Sequence, residues 1–221
     1  EIKYADLWGP RKEKYSILFN CNIDSIKWQN CTLIEPNYFF VPKEFNFLEE
    51  YNVLHEINNV FLRSSSGVKT HRDHFAVDFS RKNLIDKSNT FSDDSISNDY
   101  IRENYKLFDT GSWKLKFARK KCFESENLLS SLEQYQYRPF DKREIIYSDL
   151  IVERSRREIM QNMLQENISI LLGRAGHVIQ SEKWNLIFCS SHITDTNIFR
   201  RGGGIIFPVY IYPEKTSNKL F

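Results

Sequence analysis

Glycine and proline are scarce in this chain, at 8 and 6 of 221 residues, which excludes collagen-like and linker-like organisation. No apolar run approaches the length of a membrane-spanning helix, because Lys, Asp, Glu or Asn interrupts every candidate, and no membrane partner is expected. Cysteine is limited to Cys21, Cys31, Cys122 and Cys189, which form no CxxC pair and no zinc-ligand spacing; unpaired thiols of a reduced, cytoplasmic protein are expected. Excess charge of either sign is also missing, since 31 basic and 29 acidic residues leave +2. A small basic DNA-binding module usually carries more. If nucleic acid is the ligand, its positive charge must be local or shared with another domain. The opening Glu-Ile-Lys-Tyr-Ala-Asp is neither a signal peptide nor an initiator Met, and it reads as part of something longer. What is abundant is aromatic: 17 Phe, 11 Tyr and 4 Trp supply enough apolar surface for a real core.

Periodicity then places the elements. Tyr15 to Phe19 and Leu33 to Val41 are strand-length runs around Trp28. Apolar steps of three and four from Lys43 to Phe61 predict a helix. Phe75, Val77 and Phe79 alternate as in a strand, and residues 80–110 are spaced for short helices with an acidic face at Asp93, Asp94 and Asp99. Tyr135–Phe140 and Ile145–Tyr147 predict a hairpin turning near Pro139-Phe140-Asp141-Lys142. Arg154 to Leu164 predicts an amphipathic helix capped by Ser155 with Glu158. Runs at 168–172, 184–189 and 205–212 predict strands. No repeat and no regular βαβ rhythm is present, so the fold class is α+β (mixed α/β), a twisted mixed sheet with flanking helices. The chain reads as a single domain, 1–221, with a division into lobes of about 1–125 and 126–221.

Catalytic chemistry is hard to find. Gly202-Gly203-Gly204 is no phosphate loop, because neither Gly-x-Gly-x-x-Gly nor Gly-Lys-Ser/Thr occurs. His71-Arg72-Asp73 and Asp78-Phe79-Ser80 echo kinase motifs without the kinase context. His71 and His74 on a strand would point to opposite faces and could not share a metal. Cys189 and His192 sit at an apolar strand, where an inert thiol is the simpler reading. No metal site, no cofactor site and no complete active site is expected in this chain, which leaves binding.

Cationic residues collect at predicted turns: Lys69, Arg72, Arg138, Arg143, Arg154, Arg156, Arg157, Arg174, Arg200 and Arg201. Arginine can fork onto phosphate or onto guanine O6 and N7, although most arginines simply pair with surface carboxylates. A separate run, Trp113 to Cys122, carries Lys114, Lys116, Arg119, Lys120 and Lys121 without an acid.

The order of segments resembles a known family. Trp28 to Pro42, Ser66-Gly67-Val68-Lys69-Thr70-His71-Arg72-Asp73, Tyr137-Arg138-Pro139-Phe140-Asp141-Lys142-Arg143 and Phe207-Pro208-Val209-Tyr210-Ile211-Tyr212-Pro213 carry the resemblance. Together they look like the C-terminal specificity (target recognition) domain of Type ISP restriction–modification enzymes, over about Trp8 to Pro213. The resemblance implies a bacterial, cytoplasmic polypeptide holding a nuclease, a helicase-like ATPase, an N6-adenine methyltransferase and then this domain. S-adenosylmethionine, ATP and magnesium would serve the parent, whose motifs do not lie in these residues.

The implied function is sequence-specific recognition of double-stranded DNA by a monomeric module, beside the methyltransferase domain of the same polypeptide. Expected contacts are Lys69, Thr70 and Arg72 in one loop, Arg138 and Arg143 around the hairpin, and Arg174, His177 and Gln180 after the strand ending near Leu172. Lys114, Lys116 and Lys120 are second-rank phosphate candidates. The alternative is a protein–protein docking module that touches no bases; it predicts Lys69 and Arg72 paired to acids. A free-standing enzyme would instead show a deep pocket of carboxylates or histidines.

Overall fold

Backbone contacts divide the chain into two units, Glu1–Glu56 and Ile57–Phe221. The structure, a computed structural model, describes residues 1–125, 127–174, 186–199 and 203–213. The first unit holds β1 (Lys3–Tyr4), α1 (Arg11–Asn20), β2 (Gln29–Asn30) and α2 (Leu48–Asn52), with β1 and β2 antiparallel. No residue of 1–56 is fully buried. The strand expected at Tyr15–Phe19 is helical. Pro10 sets the entry to α1, and Arg11 donates to the Tyr15 hydroxyl one turn on at 3.0 Å, so local geometry outweighs the strand propensity of the run. Leu33–Val41 forms no strand. The stripe from Lys43 to Phe61 is broken at His55-Glu56 into α2 and α3 (Ile57–Val60).

The second unit continues with β3 (Ser65–Ser66), α4 (Asp73–Ala76), β4 (Val77–Asp78), α5 (Arg81–Phe91), α6 (Asn98–Tyr105) and α7 (Leu115–Ser125). β5 (Leu132–Arg138), β6 (Asp141–Ile146), α8 (Arg157–Met160), β7 (Ser169–Gly173), β8 (Ile187–Ser190), β9 (Ile193–Thr194) and β10 (Gly204–Pro208) follow. Two four-stranded sheets result. One is antiparallel in the order β3-β10-β7-β8. The other is mixed, in the order β4-β6-β5-β9, with β9 parallel to β5.

Side-chain caps explain the helices between them. The Ser80 hydroxyl accepts from the Asn83 N–H, and that of Ser97 from the Tyr100 N–H, which sets the starts of α5 and α6 within the stretch expected to hold short helices. Phe75, predicted on a strand, instead lies in the single turn α4, where it packs on Phe91 and Tyr105 at centroid distances of 5.6 and 5.2 Å. Leu84, Ile101, Leu107, Leu115, Ile145 and Ile146 complete one core. Residues on both sides of position 125 contribute to it, so the lobe boundary expected there is replaced by the one at Glu56/Ile57. The helix predicted from Arg154 shrinks to α8 and a 3-10 turn, Gln161–Leu164. Its cap is Arg156, in the left-handed region at φ 53°, so the expected Ser155 capping box does not form.

Candidate functional site

The site grows from residues 65–72, which run alongside neighbouring backbone before turning at His71. β3 pairs with β10, after which the Val68 N–H donates to the Thr194 carbonyl at 2.8 Å and the Thr196 N–H to the Val68 carbonyl at 2.9 Å. Gly67 makes this threading sterically feasible, because a Cβ there would lie 2.4 Å from the carbonyl carbon of Asp195. The next residue, Lys69, exchanges both backbone hydrogen bonds with Arg154, at 3.0 and 2.9 Å. Extended backbone alternates its side chains. Val68, Thr70 and Arg72 are buried, whereas Lys69 is half-buried and His71 exposed.

The inward set is structural. Thr70 and Arg72, expected at a DNA surface, lie in the interior. The Thr70 hydroxyl donates to Asp73, which also accepts from the Tyr137 hydroxyl at 3.0 Å. Arg72 pairs with Glu153 at 3.2 Å and stacks on Trp113, its Cζ 4.2 Å from the ring centroid. Burial lowers the Arg72 pKa despite the Glu153 carboxylate. Arg138 and Arg143 are likewise committed to neighbours. Arg138 pairs with the buried Asp195 at 2.9 Å, and that carboxylate also accepts from the buried Tyr135 hydroxyl at 2.7 Å. Arg143 forks onto Asp141 at 2.8 Å and lies between the Phe79 and Tyr137 rings.

The outward set converges. Lys69, His71, Arg154, Arg156 and Arg174 line an open concavity of about 520 Å³, with Thr196 on its wall. Among the described residues no carboxylate lines it, and none of those five side chains makes an ion pair. His71 and Arg156 sit at φ 59° and 53°, in the left-handed region. Lys69 and Arg154 are like charges on directly paired positions, which repel one another. An anion between them would turn that repulsion into attraction. Guanidinium forks and an ammonium suit phosphate, and arginine also suits the guanine edge.

Of the expected contacts, the structure thus brings together Lys69 and Arg174. His177 and Gln180 lie outside the described residues, as do Arg200 and Arg201. Lys114, Lys116 and Lys120 are exposed at or on α7, and Lys120 pairs with Glu124 at 3.6 Å. Arg119, from the same run, is buried and donates to the Phe91 and Asp93 carbonyls and the Asn98 side chain at 3.0, 2.5 and 2.8 Å. Arg154 and Arg156 belong to the cationic turns read from sequence, but only the backbone pairing of Lys69 with Arg154 singles them out. The docking alternative required acids on both Lys69 and Arg72; only Arg72 has one. Among the described residues no three His, Cys, Asp or Glu side chains gather to hold a metal, and no helix is long and apolar enough to cross a membrane.

Two sheets with flanking helices, and a concavity whose described lining is cationic, define a mixed α/β domain. The sequence matches the family of Type ISP C-terminal specificity domains over residues 59–221, and the chain belongs to that family. Comparison with curated protein sequences finds no match. Among solved structures the fold is similar to a DrdV–DNA complex determined by cryo-EM (TM-score 0.54, 17% identity, 91% of this chain and 21% of that one). It is also similar to the ATP-dependent Type ISP restriction–modification enzyme LlaBIII bound to DNA (0.54, 22%, 88% and 13%). A third likeness is to a nuclease-deletion mutant of the Type ISP enzyme LlaGI in complex with a DNA substrate mimic (0.50, 20%, 90% and 20%). The chain spans about a fifth or less of the length of these proteins.

Proposed function

We propose that this domain binds double-stranded DNA and reads a specific site for a larger, cytoplasmic adenine methyltransferase and restriction polypeptide. The observation that carries the reading is the concavity itself, where Lys69, Arg154, Arg156 and Arg174 gather without a described carboxylate. Lys69 and Arg154 grip phosphate, and Arg156 and Arg174, on exposed turns, reach towards base edges. Thr70, Arg72, Arg138 and Arg143 act one step back, holding the backbone that aims those side chains. The methyltransferase domain of the same polypeptide would complete the grip, which explains a net charge of only +2. S-adenosylmethionine, ATP and magnesium belong to that parent in this reading.

Methylome mapping of cells carrying the intact gene would supply the site. Duplexes bearing it are then titrated with the full-length protein against salt. Arg154→Ala and Lys69→Ala should weaken binding to all sequences and flatten the salt dependence, whereas Arg174→Ala should relax preference at one base pair. Unchanged affinity and salt dependence in the Lys69→Ala, Arg154→Ala double variant would overturn the reading.

A further inference from the structure

We propose that Phe140, at the tip of the β5–β6 hairpin, is a wedge that stacks against the bases of a duplex seated in the cationic concavity. The proposal rests on the DNA-binding reading and adds a second mode of contact to it. Phe140 is 91% exposed, the most exposed of the large apolar side chains described. It also sits at φ 62° in a two-residue turn between Arg138 and Asp141, which pair across the hairpin. Turns with positive φ favour Gly or Asn, because a Cβ is strained there. Apart from an edge-on contact with Phe188 the ring stands in solvent at a strained position, so its presence points to a contact outside the chain.

The surroundings name that contact. The register of β5 shifts between Gln136 and Arg138, and the Gln136 amide donates to the Arg138 carbonyl at 2.7 Å, fixing the tip. Arg138 is bound to Asp195, whose neighbour Thr196 walls the concavity. The Phe140 ring meets Phe188 edge-on at 5.3 Å, and Phe188 pairs across to Leu171 on the strand that leads to Arg174. Through Arg138 and Asp195 the hairpin is tied to the segment that walls the concavity, so a duplex wide enough to lie across both could meet the tip. Asp141, the acid adjoining Phe140, is neutralised by Arg143, and the exposed Lys142 leaves the tip cationic. An exposed ring two residues from the exposed Lys142 suits a polyanion whose bases offer π-faces, as in side chains that wedge between base steps.

The test uses full-length protein and a duplex carrying the site it selects from a randomised pool, with 2-aminopurine placed at successive positions. Wild type should raise the fluorescence at one step. Phe140→Ala and Phe140→Asn should lose that rise and bind about tenfold or more weakly, while Phe140→Trp keeps both. Phe140→Asn should fold with an equal or higher Tm, because Asn tolerates φ 62°; a residue needed only for the fold would lower it. A photo-crosslinker at position 140 should attach to a base, a readout independent of these variants. Unaltered fluorescence at every step, wild-type affinity in Phe140→Asn, or crosslinking to protein alone overturns the wedge. Each of those results leaves the DNA reading standing if the Lys69→Ala, Arg154→Ala variant still loses binding. If that variant binds normally, the DNA reading fails on its own account.

Discussion

Arg72 and Glu153 form an ion pair of 3.2 Å with side chains only 6% and 14% exposed. The contact joins the loop after β3 to the segment before α8, the two stretches that supply Lys69 and Arg154. Breaking it leaves one charge buried and unpaired. Glu153→Gln and Arg72→Ala should each destabilise the domain by about 3–5 kcal/mol in urea unfolding, the usual cost of orphaning a buried charge. An Arg72→Met, Glu153→Leu double variant should be less destabilised than the sum of the two, since it strands neither charge. Additive losses would show that the pair does not act as a unit.

Gly67→Ala pushes a Cβ into the backbone of Asp195 and Thr196, where nothing flexible can yield. A loss of about 1–3 kcal/mol or more is expected. Gly111 has no atom within 4 Å of the equivalent Cβ, so Gly111→Ala should be neutral or slightly stabilising. Thermal melts of the two variants, compared side by side, check both statements.

The basic run on α7 divides into interior and surface. Arg119→Met should cost about 2 kcal/mol or more, because the Phe91 and Asp93 carbonyls and the Asn98 amide oxygen lose their donor. Lys116→Ala should leave the Tm within error and act, if at all, on affinity for every DNA sequence alike. Equal effects of the two changes on stability would contradict the burial of Arg119.

Two aspartates titrate in opposite directions. Burial is the main cause that raises the Asp195 pKa, against hydrogen bonds from Tyr135 and the Asn197 N–H. The hydrogen bond from Arg143 lowers that of Asp141. For Asp195 the folded state holds its proton more tightly than the unfolded chain. Its contribution therefore weakens as pH rises from the ordinary carboxylate value through the raised one. For Asp141 the contribution is full above the unfolded pKa and is lost as pH falls through the lowered folded value. Carboxyl NMR titration should find Asp195 above and Asp141 below the usual range, and Arg143→Gln should move only Asp141 back towards it.

Much of the second unit was legible. The β5–β6 hairpin announced itself through its two strand-like runs and Pro139, α5 and α6 through apolar spacing within 80–110, and β7 and β10 through short apolar runs. The first unit was not, because in Tyr15–Phe19 strand propensity and helical i,i+4 pairing competed without a core to decide between them. The site was legible as residue type and not as direction. Lys69 and Arg72 are three residues apart and chemically alike, yet one faces the concavity and the other faces Glu153. That outcome depends on which backbone Lys69 pairs with, a long-range fact that no local pattern contains. Arg156 was hidden by a plausible capping box that its own positive φ prevents.

The alternation along residues 68–72 separates two jobs that share one stretch of chain. Val68, Thr70 and Arg72 hold the protein together, while the side chains of Lys69 and His71 line the concavity. On the proposed DNA-binding reading, exchange at the outward positions would change DNA preference. A library varied at 69, 154 and 174, with Asn or Gly added at 71 and 156 where φ is positive, should hold members that melt like the parent yet choose different letters.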